Sequence, residues 1–179
     1  MFELSIWNAW PLSLLFTGLG MLFMGTKKDI VKRMSYMTGY SRKEIIFTIL
    51  PSIAPYLFMI ATVWTPFTKK LPLLYLGILL YSFGIVAFVA SLKAIVETPR
   101  GKLFRAGPYR LSRNPLYVSA TIGFSGICLA TANIMLVAYL VIATFLQHMM
   151  ILAVERMCKE KYGVTFENYS NKVPRYLFI

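Results

Sequence analysis

The chain has 179 residues, of which 58% are hydrophobic and only 15% are charged. Its mean hydropathy of +0.63 is far higher than a soluble domain needs to fill one core, which indicates a membrane protein. The formal net charge of +12 would suggest nucleic acid as the partner of a soluble protein. Here the charges lie between apolar runs, so nucleic acid is excluded as the expected partner.

Five apolar runs are each close to the roughly 20 residues that a helix needs to cross a hydrocarbon core of about 30 Å. They cover residues 4–24, 45–67, 71–96, 116–132 and 134–157. We therefore predict an all-α membrane protein with about five transmembrane helices. Nothing positively charged precedes the first run, so we interpret it as a helix and not as a cleaved signal peptide. No repeat or long linker is visible, which predicts a single integral membrane domain over 1–179, with three N-terminal helices in 1–96.

Basic residues are concentrated after the first, third and fifth runs. They are Lys27, Lys28, Lys32, Arg33, Arg42 and Lys43, then Arg100, Lys102, Arg105, Arg110 and Arg113, then Arg156, Lys159, Lys161, Lys172 and Arg175. The other two loops hold only Lys69 and Lys70. By the positive-inside rule, this alternation predicts an N-terminus outside or in a lumen and a C-terminal tail in the cytoplasm. The first basic loop, at 26–44, is predicted to lie on the membrane surface.

The second and fourth runs carry small or helix-breaking residues inside the membrane. Pro51 and Pro55 predict a packing kink in the second helix, with the shaping of a cavity as the alternative. The fourth run has a stripe of small residues at helical spacing, which lets a neighbouring backbone approach closely. The stripe consists of Ser119, Gly123, Gly126 and Ala130. Because only residues 131–133 separate the last two runs, we expect the fifth helix to fold back as an antiparallel hairpin and to pack on this stripe.

The fifth run contains ionisable side chains, which are costly inside a membrane and therefore mark candidate sites. At about 100° per residue, Thr144, His148, Ile151 and Glu155 fall on one face of the helix. We expect Glu155 to have a role in a site. For His148 two alternatives are open, a site role or one interhelical hydrogen bond.

The segment FRAGPYRLSRNPLYVSA, residues 104–120, leads into the fourth run. Asn114-Pro115 predicts a helix start, with Asn114 as the N-cap and Pro115 in the first turn. The segment also contains Arg105, Arg110, Arg113, Tyr109 and Tyr117. A helix N-terminus flanked by arginines suits a carboxylate or phosphate, and tyrosines suit a flat group. Binding of anionic lipid head groups is the alternative.

Two stretches together resemble a known family. GPYRLSRNPLY at 107–117 and ERMCKEKYGVTFENYSNKVPR at 155–175 are similar to the integral-membrane methyltransferase superfamily, which includes isoprenylcysteine carboxyl methyltransferases and phospholipid N-methyltransferases. The resemblance implies S-adenosylmethionine as the cofactor and a lipophilic methyl acceptor that enters from the bilayer. It makes 97–179 a cofactor-binding loop, a helical hairpin and a C-terminal tail, with the active site expected to face the cytoplasm. No metal is implied, and Cys128 and Cys158 cannot meet in the predicted topology.

The resemblance and the chemistry of the segment also suggest roles for residues. Those expected to bind the cofactor are Tyr109, Arg113, Asn114, Pro115, Tyr117 and Glu155, with Glu155 on its ammonium and Arg113 on its carboxylate. Tyr162-Gly163, Tyr169 and Val173-Pro174-Arg175 match the remaining motif positions. Arg175 is expected to hold an anionic group of the substrate, and His148 to line the cavity or to accept a proton from an amine. The sequence departs from the family pattern at Asn114, where a histidine is expected, and at Val154, where a glutamate is expected.

Several functions remain open from the sequence. The first is methylation of a lipophilic acceptor that resembles isoprenylcysteine carboxylate. The second is N-methylation of a phospholipid head group, and a lipophilic thiol or quinone-like acceptor is also compatible. The alternative of another class is a non-enzymatic membrane scaffold that binds anionic lipids.

Overall fold

The computed structural model describes residues 8–28 and 40–177. These residues form α1 (Trp10–Thr26), α2 (Arg42–Thr62), α3 (Leu71–Glu97), a short 3₁₀-helix (Gly107–Arg110), α4 (Pro115–Thr131), α5 (Ile134–Tyr162) and α6 (Val164–Ser170). The predicted all-α class is confirmed for this part of the chain. The start of the first predicted run and most of the predicted surface segment at 26–44 lie outside the described residues.

The helices fall into two classes by length. Three of them, α2, α3 and α5, have 21, 27 and 29 residues and are long and apolar enough to cross a membrane. The other two apolar helices, α1 and α4, have 17 residues each, which is about 26 Å at the rise of an α-helix. These helices make the chain a multi-pass integral membrane protein. Because α5 continues to Tyr162, it is longer than the predicted run and exceeds the thickness of a hydrocarbon core.

The start of α2 is fixed by a capping box. Ser41 Oγ accepts a hydrogen bond from Glu44 N at 3.3 Å, and Ser41 N donates to Glu44 Oε2 at 2.8 Å. These reciprocal bonds satisfy N–H groups that have no partner inside the helix. The helix then continues through Pro51 and Pro55 without a break.

The small-residue stripe of α4 packs against α3, so the prediction that it packs against α5 is wrong. A Cβ atom built on Gly77 would lie 2.5 Å from Ala130 N, and one built on Gly84 would lie 2.5 Å from Gly123 N. The same holds in the other direction, where a Cβ on Gly126 would lie 2.5 Å from Tyr81 N. The physical reason is that α3 carries glycines two turns apart, so small residues face small residues and the two backbones touch.

The helices α4 and α5 are joined by a reversal of two residues. Ala132 adopts a left-handed conformation with φ of 50°, and Asn133 Oδ1 then accepts Met135 N at 2.9 Å to begin α5. Gln147 Nε2 reaches back to Tyr117 O and Thr121 Oγ1, both at 3.4 Å. These contacts join the middle of α5 to the beginning of α4 across the short turn, so the two helices form an antiparallel hairpin.

Aromatic rings fill the space between α1, α2, α3 and α4. The ring centroid of Phe16 lies 4.7 Å from that of Phe88 and 5.1 Å from that of Phe124, and Phe58 lies 4.8 Å from Phe124. Rings at such separations pack favourably in tilted arrangements. This cluster packs the four helices together in the middle of the bundle.

Candidate active site

The C-terminal tail lies directly on the loop before α4. Arg113 N donates to Pro174 O at 2.9 Å, and Ser112 Oγ donates to Arg175 O at 2.9 Å. Ser112 Oγ in turn accepts Asn114 N at 3.1 Å. Two motifs about 60 residues apart in sequence therefore form one surface.

Glu155 of α5 lies at the centre of a cluster of charges on this surface. Its Oε2 accepts Arg175 Nε at 3.0 Å, and its Oε1 accepts Asn114 Nδ2 at 3.0 Å. Arg113 Nε lies 3.4 Å from the same Oε1, and the side chain of Glu155 is only 11% exposed. Two guanidinium groups share one carboxylate, so the cluster has a net positive charge and favours an additional anionic group.

Asn114 occupies the N-cap position of α4, as predicted, but its side chain does not cap the helix. The helix begins with Pro115 in its first turn as expected, but the Asn114 side chain makes no capping hydrogen bond. Its amide donates to Glu155 instead. A capping side chain accepts from backbone N–H groups, whereas here the Asn114 amide donates to a buried, charged carboxylate, and such charge-assisted hydrogen bonds are stronger, which explains the difference.

Arg113 has a donor that the described protein atoms leave unused. Its Nε is buried and makes no hydrogen bond, because the approach to Glu155 satisfies only the distance of an ion pair. A buried donor without an acceptor is costly. The geometry therefore favours a ligand that brings a carboxylate or a similar acceptor to Arg113.

A cavity of about 140 Å³ opens beside the cluster, and we call it the site cavity. It is lined by Tyr40, Leu103, Phe104, Tyr109, Arg113, Asn114, Leu116, Tyr117, Val154, Glu155, Met157, Cys158, Lys161, Tyr162, Phe166 and Tyr169. Five of the residues predicted to bind the cofactor are in this wall, namely Tyr109, Arg113, Asn114, Tyr117 and Glu155. Pro115 is not in the wall, since it forms the first turn of α4.

The aromatic side of the site cavity is fixed by contacts between the loop and α6. Tyr169 Oη donates to Tyr109 O at 2.6 Å, and Arg105 Nη2 donates to Thr165 O at 2.6 Å while its guanidinium lies over the Tyr169 ring. Burial raises the pKa of Tyr109 and of Tyr169 well above the ordinary tyrosine value. Both phenols therefore stay neutral and act as walls and hydrogen-bonding groups, not as bases.

The two residues expected to be catalytic lie outside the walls of the described cavities. Arg175 reaches the site through its ion pair with Glu155, at 2.9 Å from Nη2 to Oε2. His148 lies deeper along α5, where its Nδ1 is 2.6 Å from Tyr176 Oη. His148 thus contacts the C-terminal tail through Tyr176, the residue that follows Arg175 in the sequence, and its role in catalysis stays a prediction.

Several residues in the wall were missed from the sequence. Phe104, Phe166 and Lys161 come from three separate segments, and no local pattern relates them. For Tyr40 a signal exists, because it directly precedes the capping box Ser41–Glu44 and is therefore positioned by a fixed helix start.

A second and larger cavity of about 310 Å³ lies between α1, α2, α3, α4 and α5, and we call it the apolar chamber. It is lined by Phe16, Thr17, Gly20, Phe23, Met24, Tyr40, Thr48, Pro51, Ser52, Pro55, Tyr56, Phe88, Leu92, Leu116, Tyr117, Ala120, Phe124, Gln147, Met150 and Val154. No charged side chain is among these described residues. Four of them also line the site cavity, and we call this shared set the collar: Tyr40, Leu116, Tyr117 and Val154.

Membrane-length helices, a positively charged cluster beside a cavity and an adjoining apolar chamber define a membrane protein that handles a polar ligand and a lipophilic one together. The family comparison specifies this class. The model of the phospholipid methyltransferase family matches residues 73–164, just over half of the chain, so the chain belongs to that family. No curated protein and no solved structure is significantly similar to it. The predicted family resemblance is confirmed.

Family membership establishes the coarse function. The chain is an S-adenosylmethionine-dependent methyltransferase, as the sequence predicted, and its family implies a lipid methyl acceptor. The non-enzymatic scaffold considered from the sequence is therefore set aside. The matched range includes α3, the loop, α4 and α5 with Glu155. The tail with Arg175 lies beyond it.

Proposed function

We propose that this protein methylates a carboxylate at the end of a lipophilic molecule, as in isoprenylcysteine, and that the reaction occurs at the collar. The observation that carries the proposal is the pair of adjoining cavities, one with charged side chains in its wall and one without, that share the collar. S-adenosylmethionine supplies a methyl group on a positively charged sulfur atom.

The site cavity has complementary groups for each part of the cofactor. Arg113 offers its unused Nε donor to the carboxylate. Glu155, the acidic side chain among the described lining residues, is proposed to attract the ammonium group. The rings of Phe104 and Tyr109, whose centroids lie 5.7 Å apart, provide apolar surface for a flat purine.

The apolar chamber suits the chain of the acceptor and not its charged end. A phosphate or ammonium group inside the chamber would be desolvated without a partner, which costs several kcal/mol per ion. We therefore propose that only hydrocarbon occupies the chamber. The reactive end of the acceptor would lie at the collar, next to the net positive cluster of Arg113, Arg175 and Glu155.

The chemistry available at the collar favours a carboxylate over an amine. A carboxylate oxygen forms its bond to the methyl carbon while the bond from carbon to sulfur breaks, and no proton is released. An amine must lose a proton, but the collar contains no acid or histidine, and burial raises the pKa of Tyr40. The residues mainly align the reactants and exclude water.

Phospholipid N-methylation is the second candidate, and the description of the matching family favours it. In this case Glu155 is the nearest described carboxylate for the proton, although it is already bonded to Arg175 and Asn114. The two candidates predict different methylated products, which makes them separable.

The experiment has a binding part and a product part. Purified protein is titrated with S-adenosylhomocysteine by calorimetry, and radiolabelled cofactor is then supplied with either a prenyl-cysteine mimic or phosphatidylethanolamine vesicles. We expect binding, and label in a base-labile ester of the mimic. Label only in the phospholipid would replace the first candidate by the second, and no binding to well-folded protein would contradict both.

We also propose that the site faces the cytoplasm and the N-terminus the opposite side. The support is the concentration of basic residues in the loop, in the end of α5 and in the tail. Single cysteines introduced at exposed Lys172 and Lys69 and labelled in oriented vesicles should react from opposite sides. Labelling from the same side would contradict the orientation.

A further inference from the structure

Tyr40 occupies a special position among the collar residues. Leu116 and Tyr117 belong to α4 and Val154 to α5, so helices fix these three. Tyr40 alone comes from the chain before α2, yet it lines both cavities. Something outside the collar must therefore fix its position.

The structure contains a direct connection that does this. Arg156 Nε donates to Glu44 Oε1 and Arg156 Nη2 donates to Glu44 Oε2, both at 2.9 Å. This two-pronged pairing is the strongest arrangement that arginine forms with a carboxylate. Glu44 Oε2 also accepts Ser41 N, so one carboxylate links the residue after Tyr40 to α5. We call the pair of Glu44 and Arg156 the clamp.

The clamp and the active site meet on one short stretch of α5. Val154 lies in the collar, Glu155 binds both site arginines, and Arg156 binds α2. Consecutive helix residues point in directions about 100° apart. The collar, the charge cluster and the clamp therefore each use a different side chain of this stretch. A change in the clamp is therefore expected to move Tyr40 and to leave the charges around Glu155 in place.

We propose that Tyr40 is the residue that separates the site cavity from the apolar chamber, and that the clamp positions it. The inference rests on the proposed function insofar as it makes Tyr40 a selector of acceptors. In this position the ring would limit the size of the acceptor group that can reach the site cavity from the apolar chamber. Tyr40 is thus a positioning and specificity residue that does no proton transfer.

The first test measures how easily a reagent passes from the apolar chamber into the site cavity, and it requires no enzyme reaction. Cys158 lines the site cavity, whereas Cys128 is buried in α4. In a Cys128→Ser background reconstituted in nanodiscs, Cys158 is labelled with a lipid-soluble maleimide and with a charged, water-soluble one. Tyr40→Ala should raise the rate with the lipid-soluble reagent severalfold, while Tyr40→Phe, which keeps the ring, should leave it near the parent rate.

The clamp has its own variant and a matched control. Arg156→Ala should increase lipid-soluble labelling as Tyr40→Ala does. Lys159→Ala is on the same helix and breaks a different surface pair, Lys159 Nζ to Glu167 Oε1 at 3.0 Å, so it should not. Unchanged labelling in Tyr40→Ala would contradict the proposal that Tyr40 separates the two cavities. Equal effects of the Arg156 and Lys159 variants would overturn the clamp.

The second test concerns selection between acceptors. With prenyl-cysteine mimics of increasing head size, Tyr40→Ala should lower the KM of the bulkier mimics relative to that of the smallest. A uniform fall in kcat for all mimics would contradict the specificity role. If no mimic is methylated but the labelling results hold, the proposed function fails and the partition by Tyr40 stands.

Discussion

The fourth helix meets its two neighbours in opposite ways. Against α3, its small residues bring backbone onto backbone, so that there is no room for even one more carbon atom at Gly84 or Gly126. Against α5, α4 and the residue before it make few polar contacts, a weak one with Gln147 and one with Glu155. The apolar chamber and the site cavity lie beside these contacts. One side is therefore built for rigidity and the other for ligands.

The difference explains how a chain of this size can hold two ligands. Close packing of α3 and α4 provides one fixed wall. Polar contacts tie α5 to this wall at few points, so a cavity can remain between them. The following three predictions test this contrast, beginning with the largest expected effect.

The largest effect is expected where α3 and α4 touch. Gly84→Ala places a Cβ 2.5 Å from Gly123 N, and because backbone cannot rotate away as a side chain does, we expect a loss of about 1–3 kcal/mol or more in stability. Thermal unfolding in detergent measures it. Gly18→Ala is the matched control, since nothing lies within 4 Å of its Cβ, and it should be neutral or slightly stabilising. Equal stability of the two variants would refute the close contact.

The next effect is expected on the ligand side. Glu155→Gln removes the charge that two arginines share, and a charged hydrogen bond to the cofactor would account for about 1.5–3 kcal/mol of its affinity. Calorimetry with S-adenosylhomocysteine should show that loss. Glu167→Gln, which only breaks the exposed pair with Lys159, should bind normally. Normal binding by Glu155→Gln would remove Glu155 from the cofactor site.

The smallest effect is expected at the tail. Tyr176→Phe deletes the hydrogen bond to His148, which is worth about 0.5–1.5 kcal/mol, and should lower the methylation rate because Arg175 is the adjacent residue. Cofactor affinity should change little, since Arg113 and Glu155 keep their places. The control is Tyr75→Phe on the 66% exposed Tyr75 of α3. A rate equal to that of the control would limit His148 to an anchoring role without consequence for Arg175.

Much of the site was predictable because its chemistry is local in sequence. The loop that contains Tyr109, Arg113 and Asn114 lies directly against a helix start, and Glu155 is an acid in an apolar helix. These signals require no knowledge of the fold. The position of Tyr40 and the other collar residues between two cavities was not predictable, since it depends on which helices surround a cavity. The contact of His148 with Tyr176 of the tail was also not predictable, because a helical face does not show which other segment covers it.

The sequence alone determined the membrane class, the bounds of the helices to within about six residues and the family to which the chain belongs. It could do so because hydropathy, turn residues and motif spacing act over short distances along the chain. Tertiary structure decided that the small residues of α4 face Gly77 and Gly84 of α3 and that Asn114 turns from the helix end to Glu155. In both cases the choice of partner depends on contacts between residues far apart in the chain, which no local pattern contains.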